Sequence, residues 1–428
     1  MNITQAAIKA FQNELAEASA KILSYWSTYS PDPGDNGFYG TITDQNLPVA
    51  GAVKGSVLNA RILWSFSTGY LHTPEDRYRQ LAERAYNYYL QHFKDLEFGG
   101  TYWYIQPPAT KDKNLDEATD PDGSKKQIYA QAFWIYALSA YYKVTRKADV
   151  LKEAIDLFNL IEKYSYDPKA GGYFEAFARD WSKINDQRLS SKDLNAAKTM
   201  NTHLHILEGY MGLYQLWPDS HLKRQICHLL DCFDQHIIDP DTHHLRLFFN
   251  ANFKQATTST ITTFSFGHDI EAAWLLLEAA EIIQDPIYIT KMQHHSKNLA
   301  TAALTGLDPE TGGLNYECKI DPTAPDSILM HAEKHWWVQA EAIVGFLAAC
   351  QQSGQIVFYQ KAASVWQYIN QHLMSPSGEW LWGIDAHGQP MTGYYKIGFW
   401  KCPYHNLRAM TEGQKRLSII LSRLTGTP

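Results

Sequence analysis

The sequence predicts an all-α fold, an (α/α)6 barrel of twelve helices with short β-hairpins in the loops on one rim. Two observations carry this: a turn signal that recurs about every 70 residues, and a pair of helical segments between successive turns. A third, the lack of polar end-caps on the divergent repeats, favours a closed ring over an open solenoid.

The turn signal is a small or polar turn followed by aromatic residues: PGDNGFYG (33–40), EFGGTYW (97–103), AGGYFEAF (170–177), DTHHLRLFF (241–249), TGGLNYE (311–317) and SGEWLWG (377–383). Gly-Gly pairs admit the positive φ of a tight turn, and alternating aromatics suit a short strand. From Gly37 through Gly100, Gly172, His244, Gly313 and Gly378 the steps are 63, 72, 72, 69 and 65 residues. Between the turns, Lys125–Thr145 with Ala148–Tyr164, and Asp269–Ile283 with Pro286–Leu304, carry apolar residues at three- and four-residue spacing. Pro74, Pro286 and Pro403 stand where helices should start.

Composition narrows the function. The 428 residues are 45% hydrophobic with a net charge of −7, a globular balance without the basic field that nucleic acid or an anionic membrane surface requires. Five cysteines without a CxxC motif read as isolated thiols in a reducing compartment. The N-terminal segment mixes Gln, Glu and Lys with its apolar residues, so it reads as an amphipathic helix and not a signal peptide. The expectation is one catalytic domain over residues 1–428, cytoplasmic, a monomer or weak dimer.

A closed ring of helices turns one phase of each inner helix toward the axis. Arg61, Tyr129, His205, His268, Trp337 and His405 recur in the first, more aromatic helix of each pair at steps of 68, 76, 63, 69 and 68 residues. They are therefore expected at equivalent places, one per repeat. A fixed cation, a phenol, three imidazoles and an indole suit a cavity that transforms a sugar. His268 with Glu271 (i, i+3), Trp337 with Glu341 (i, i+4) and Asn201 with His205 (i, i+4) can each share a helical face. His203, two residues from His205, cannot share its direction, and His205 is the preferred candidate. Trp400 suits either the core or a pocket wall. Arg61 in an apolar helix needs a partner or a ligand. Lys54, Lys192 and Lys396 read as solvated.

Other chemistries find little support. HAEKH (331–335) spaces two histidines as a helical metal pair would, but it lacks the HExxH order and a third ligand, so no metal is expected. There is no GxGxxG, GxxxxGK[ST] or GxSxG motif, hence no nucleotide cofactor and no serine elbow.

The segments LNARILWSFS (58–67), KKQIYAQAF (125–133), KTMNTHLHILEGY (198–210), FGHDIEAAWLL (266–276), EKHWWVQAEA (333–342) and GFWKCPYHNLRAM (398–410) run in one order along the chain. In these the sequence resembles the cellobiose 2-epimerases of the N-acylglucosamine 2-epimerase superfamily. The resemblance implies an (α/α)6 barrel that inverts C2 of a reducing sugar without a cofactor, interconverting glucose and mannose configurations through a cis-enediolate. His405 and His268 would be the acid/base pair, with His405 abstracting from the gluco sugar. His205, Arg61, Asn201 and Tyr129 would hold the reacting sugar, His205 also steadying charge on O1. Glu271, Trp337, Glu341 and Trp400 would complete the wall, and Trp274 would reach a second ring.

Two stretches are longer than the family pattern, Gln106–Ser124 and Phe253–Phe266. A longer loop leading into His268 would narrow the room for a second sugar, which tilts the expectation from cellobiose to free mannose. An aldose–ketose isomerase making fructose is the alternative. An (α/α)6 glycoside hydrolase, which needs two flanking carboxylates, is a more distant one. Catalysis by histidines should give a bell-shaped profile near neutral to mildly alkaline pH.

Overall fold

The computed structural model describes residues 4–106, 120–256, 262–321 and 324–426. Most of the Gln106–Ser124 stretch and residues 257–261 of the second long loop therefore lie outside the described residues. The helices are α1 (Gln5–Tyr29), α2 (Ser56–His72), α3 (Asp76–Tyr88), α4 (Ile128–Thr145), α5 (Ala148–Tyr164), α6 (Met200–Tyr214), α7 (Ser220–Cys232), α8 (Phe266–Ile283), α9 (Pro286–Ala303), α10 (Trp336–Ser353), α11 (Ile356–Tyr368) and α12 (Tyr404–Thr425).

Even-numbered helices form the inner ring. Each packs on the next even one, and α12 packs back on α2, which closes the circle. The odd-numbered helices pack outside them, α3 on α2 through α11 on α10, with α1 against α12. Residue chemistry explains the two layers. α4, α8 and α10 are buried nearly all round because both of their faces meet protein. α3, α5 and α7 bury one stripe and leave the other face to solvent. No helix among the described residues is long and apolar enough to cross a membrane.

Ends are set locally. Thr4 Oγ1 accepts from Ala7 N at 3.1 Å to start α1, and Asp285 caps α9 with Pro286 in its first turn. α4 starts later than the apolar pattern suggests, because Lys126–Gln127 is extended and paired in a sheet.

One rim holds the strands: β1 (Pro31–Asp32), β2 (Gly37–Phe38), β3 (Lys54–Gly55), β4 (Tyr104–Ile105), β5 (Lys126–Gln127), β6 (Ala176–Phe177), β7 (Lys198–Thr199), β8 (Phe248–Phe249), β9 (Thr262–Ser265), β10 (Glu317–Asp321), β11 (Ala324–His331), β12 (Lys334–His335) and β13 (Gly383–Ile384). Most are two residues long. The strand leading into an inner helix pairs with the one after the next turn, as β3 with β4, β5 with β6, β7 with β8 and β12 with β13. Each repeat thus completes the rim of its neighbour. β9, β10 and β11 form a three-stranded antiparallel sheet, the largest departure from the pattern.

Two devices recur at the turns. An inner-helix side chain grips the backbone just after the turn: Gln131 exchanges two bonds with Thr101, Gln339 two with Leu314, His203 Nε2 accepts from Tyr173 N at 2.9 Å, and Asp269 accepts from Leu245 N at 2.9 Å. A Cβ on Gly100 or Gly172 would collide with the gripping Gln131 or His203, and both glycines have positive φ. The second device is a buried ion pair between an acid of the turn and a lysine just before the inner helix: Lys54 with Asp35 at 2.5 Å, Lys126 with Asp95 at 2.7 Å, Lys198 with Asp167 at 2.8 Å, Lys334 with Asp308 at 3.0 Å and Lys401 with Glu379 at 2.6 Å. Lys54 is therefore buried and not solvated. Lys396 is buried too, on Ser377 and Asn46, whereas Lys192 is exposed as expected.

Candidate active site

The gripping residues also give a ruler for the barrel interior. Tyr129 and Trp337 stand two positions before Gln131 and Gln339; His205 stands two after His203. His268 stands one before Asp269, and His405 one before Asn406, which binds Glu379 Oε1 at 2.8 Å. The six phased residues are thus not strictly equivalent. His268 and His405 share one phase, on helices two repeats apart.

At the centre lies Arg408, a residue the sequence reading passed over. Its guanidinium is 1% exposed. Nη2 donates to Glu271 Oε1 and to Glu341 Oε1, both at 2.6 Å, and Nη1 bonds Glu208 Oε1 and Tyr404 Oη. Two histidines hang on this hub. His405 Nδ1 meets Glu341 Oε1 at 2.7 Å, and His205 Nδ1 meets Glu208 Oε2 at 3.0 Å. The third, His268, is half-buried, bonds Ser265 Oγ through Nδ1 at 2.8 Å and lies against the Trp337 indole, which also contacts His405.

Arg61 is enclosed by aromatic rings. Its guanidinium sits 4.2 Å from the Phe133 ring centre and 4.6 Å from that of Tyr404, and Nη2 donates to Tyr129 Oη at 3.0 Å. Among the described residues no carboxylate pairs with it, and its buried Nε has no protein partner. A buried cation without a counter-charge is suited to an oxygen that gains charge during reaction. Asn201, half-buried on α6, likewise leaves Oδ1 without a protein partner. Trp400 is half-buried among Trp103, Phe399 and Tyr129. Trp274 lies elsewhere. Its indole is 3% exposed, donates to Glu341 Oε2 at 3.1 Å and is flanked by the guanidiniums of Arg408 and Arg416, behind the carboxylate.

His203 is a structural grip. Its Nδ1 donates to Thr199 O and its Nε2 receives Tyr173 N, so both nitrogens are used. His331 ends β11 and His335 lies in β12, so HAEKH is extended and not helical. Glu271, Glu341 and His405 bring ligand-type atoms within 4.8 Å of one another. Arg408 already bonds both carboxylates, which makes a guanidinium the cation of this cluster.

Burial sets the protonation states. It pushes Glu271 up to about 8, aided by the nearby Glu341 charge, while Arg408 and His405 overcome burial and hold Glu341 down. His405 is lowered to about 3 by burial, against the pull of Glu341; His268 is lowered to about 3 by burial and by His205. All three histidines start neutral. A base works only unprotonated, so a lowered value keeps it active at lower pH, and activity is lost only as pH falls through that value. The acid limb of kcat/KM is therefore expected below the ordinary imidazole value of about 6.5, lower than the near-neutral bell suggested by unperturbed histidines. Initial rates at sub-saturating sugar from pH 4.5 to 9 check this; a limb at or above 6.5 refutes it.

A closed double ring of helices around a polar, histidine-bearing core defines an (α/α)6 barrel with acid–base groups gathered at its axis. The family model for N-acylglucosamine 2-epimerase matches residues 37–409. Cellobiose 2-epimerase of Bacteroides fragilis is 42% identical over 397 residues, covering 92% of this chain and 96% of that protein. The one from Dictyoglomus turgidum is 32% identical, over 96% of this chain and 100% of its own. The structure of cellobiose 2-epimerase from Spirochaeta thermophila DSM 6192 superposes with a TM-score of 0.85 at 34% identity, covering 97% of this chain and 98% of that one. The chain belongs to the N-acylglucosamine 2-epimerase family, and it is an isomerase of that family.

Proposed function

We propose that this epimerase inverts C2 of a reducing aldose with His405 and His268 as its acid and base, and that free mannose and glucose are its preferred pair. The observation that carries the chemistry is the His405–Glu341 dyad. A carboxylate only accepts hydrogen bonds, so the His405 proton sits on Nδ1 and bare Nε2 is left to abstract. Once C1 is an aldehyde, the C2 proton is acidic, and its removal gives a cis-enediolate. Glu341 stabilises the resulting imidazolium, and Arg61 with Tyr129 receives the oxygen charge. Returning the proton to the same face would regenerate the starting sugar. His268, which like His405 contacts the Trp337 indole, serves the opposite face. Its serine partner both donates and accepts, so its proton can sit on either nitrogen. Trp274, behind Glu341, supports the carboxylate instead of touching a second sugar ring.

Support for a monosaccharide comes from β9. Ser265 at its end pairs with Glu317 of β10 and also binds His268, so a three-stranded sheet stands beside this base. Favouring a β-1,4 disaccharide are the Trp103–Phe399–Trp400 cluster and the 42% identity to a cellobiose 2-epimerase. Incubation with D-mannose and, separately, cellobiose in heavy water, read by NMR, decides. Glucose deuterated at C2, with little change in cellobiose, is the expected result. Glucosyl-mannose from cellobiose would make the disaccharide the substrate, and fructose as main product would make the enzyme an aldose–ketose isomerase.

A further inference from the structure

Three buried acids surround one guanidinium, and two of them share a single nitrogen. Arg408 Nη2 lies 2.6 Å from Glu271 Oε1 and 2.6 Å from Glu341 Oε1. The third acid, Glu208, takes Nη1 and has the Tyr404 hydroxyl as a second donor. Two buried carboxylates meeting on one nitrogen repel each other, so one of the pair holds a proton. Its place decides what His405 can do. If Glu341 is the carboxylate, it can only accept, so His405 keeps its proton on Nδ1 and Nε2 is a base. If Glu341 is the protonated acid, it donates to Nδ1, the imidazole proton sits on Nε2, and the base is gone.

Two of the partners do not choose between these states. Arg408 offers the same nitrogen at the same distance to both acids. His405 Nδ1 can donate to a carboxylate or accept from a carboxyl, so it follows the proton without fixing it. Trp274 is different. Its Nε1 lies 3.1 Å from Glu341 Oε2, and an indole N–H can only donate. Among the described residues Glu271 has no donor but Arg408, although it stands three residues from Trp274 on α8. The indole is buried, and the guanidiniums of Arg408 and Arg416 lie over its ring at 4.8 and 5.5 Å, which holds the N–H on its carboxylate.

We propose that Trp274 is the positioning residue that keeps the shared proton on Glu271 and off Glu341, and so keeps His405 a base. The split between the two acids, Glu271 up and Glu341 down, is the state that this donor favours. The indole acts through the carboxylate and the imidazole and needs no contact with the sugar. This role rests on the reading of His405 as a base at C2.

Trp274→Phe tests it, because an aromatic ring stays against the guanidiniums while the N–H is lost. At pH 6.5 kcat is expected to fall at least about tenfold, with KM within about threefold of wild type. Burial pushes Glu271 up to about 8, so the pair gives up its shared proton as pH rises through that region. Glu341 is then a carboxylate with or without the indole, and the deficit should shrink to about threefold or less at pH 9.5. An equal deficit at both pH values would mean that Trp274 only packs, and no deficit would mean that Arg408 alone sorts the acids; either result overturns the proposal. Should the variant not fold, infrared difference spectra of wild type against Glu271→Gln at pH 6.5 decide. Loss of a protonated-carboxyl C=O stretch is expected, and loss of a carboxylate stretch instead overturns the proposal. Deuterium incorporation at C2 by the wild-type enzyme in heavy water tests the underlying reading separately. Exchange together with a pH-independent deficit sinks the role of Trp274 alone, and absence of exchange sinks the C2 reading.

Discussion

His405→Ala is expected to lower kcat about a thousandfold while changing KM by less than about threefold. The reason is geometric. Glu341 is bound to Arg408 and to the Trp274 indole, so removing the imidazole leaves a carboxylate already committed elsewhere and not a substitute base. Binding of the sugar rests on other residues, which is why KM should hold. Single-turnover loss of the C2 proton, read from deuterium washout of C2-labelled glucose, isolates the abstraction step assigned to His405. A variant retaining a tenth of wild-type kcat would show that His405 is not the base.

The largest structural effect is expected at Arg408. Arg408→Met leaves Glu208 and Glu341 buried as carboxylates beside Glu271 without their counter-ion, a loss of roughly 3–5 kcal/mol of stability. The pH dependence identifies the cause. Without the guanidinium, burial raises the folded-state values of these carboxyls above those of the unfolded chain. Such groups destabilise the folded state as pH rises above the unfolded value of about 4.5, and the penalty disappears below it. Denaturant midpoints of Arg408→Met should therefore lie closer to wild type at pH 4.5 than at pH 7.5. An equal deficit at both pH values would mean that lost packing, not unpaired charge, is responsible.

How far the sequence speaks depends on the range of the interaction. The turns were legible because Gly99–Gly100 and Gly171–Gly172 supply positive φ within two residues, a local demand with a local signature. Arg61 was legible for a related reason, as a charge in an otherwise apolar helix. Arg408 was not, because its partners Glu208, Glu271 and Glu341 lie 200, 137 and 67 residues away and α12 is amphipathic enough for an arginine to pass as a surface residue. A signal did exist: Tyr404, Arg408 and Thr411 form an i, i+4, i+7 stripe of buried polar groups in α12. Lys54 was misread for the same reason of range, since a lysine is usually solvated and its acid sits across a turn. The phase of the inward residues was legible only to within two or three positions, because the period itself varies from repeat to repeat. Only the gripping side chains, which become visible once the turns are folded, fix it.

Among the described residues, the fourth repeat is the one whose rim has no lysine clamp. Phe264 stands where the lysine would be and packs against His244, while Asp239 turns to Arg246 in its own loop. This is also the repeat that presents His268. At the sixth repeat a lysine, Lys401, stands four residues before His405; Glu379 pairs with the lysine, and Glu341 backs the imidazole. His268 has only a serine hydroxyl behind it. An ammonium at its back would oppose every moment in which it carries a proton, much as Lys198 adds to burial in keeping His203 neutral. A phenyl ring in that place gives up one anchor of the rim and leaves the imidazole free to take a proton and give it away.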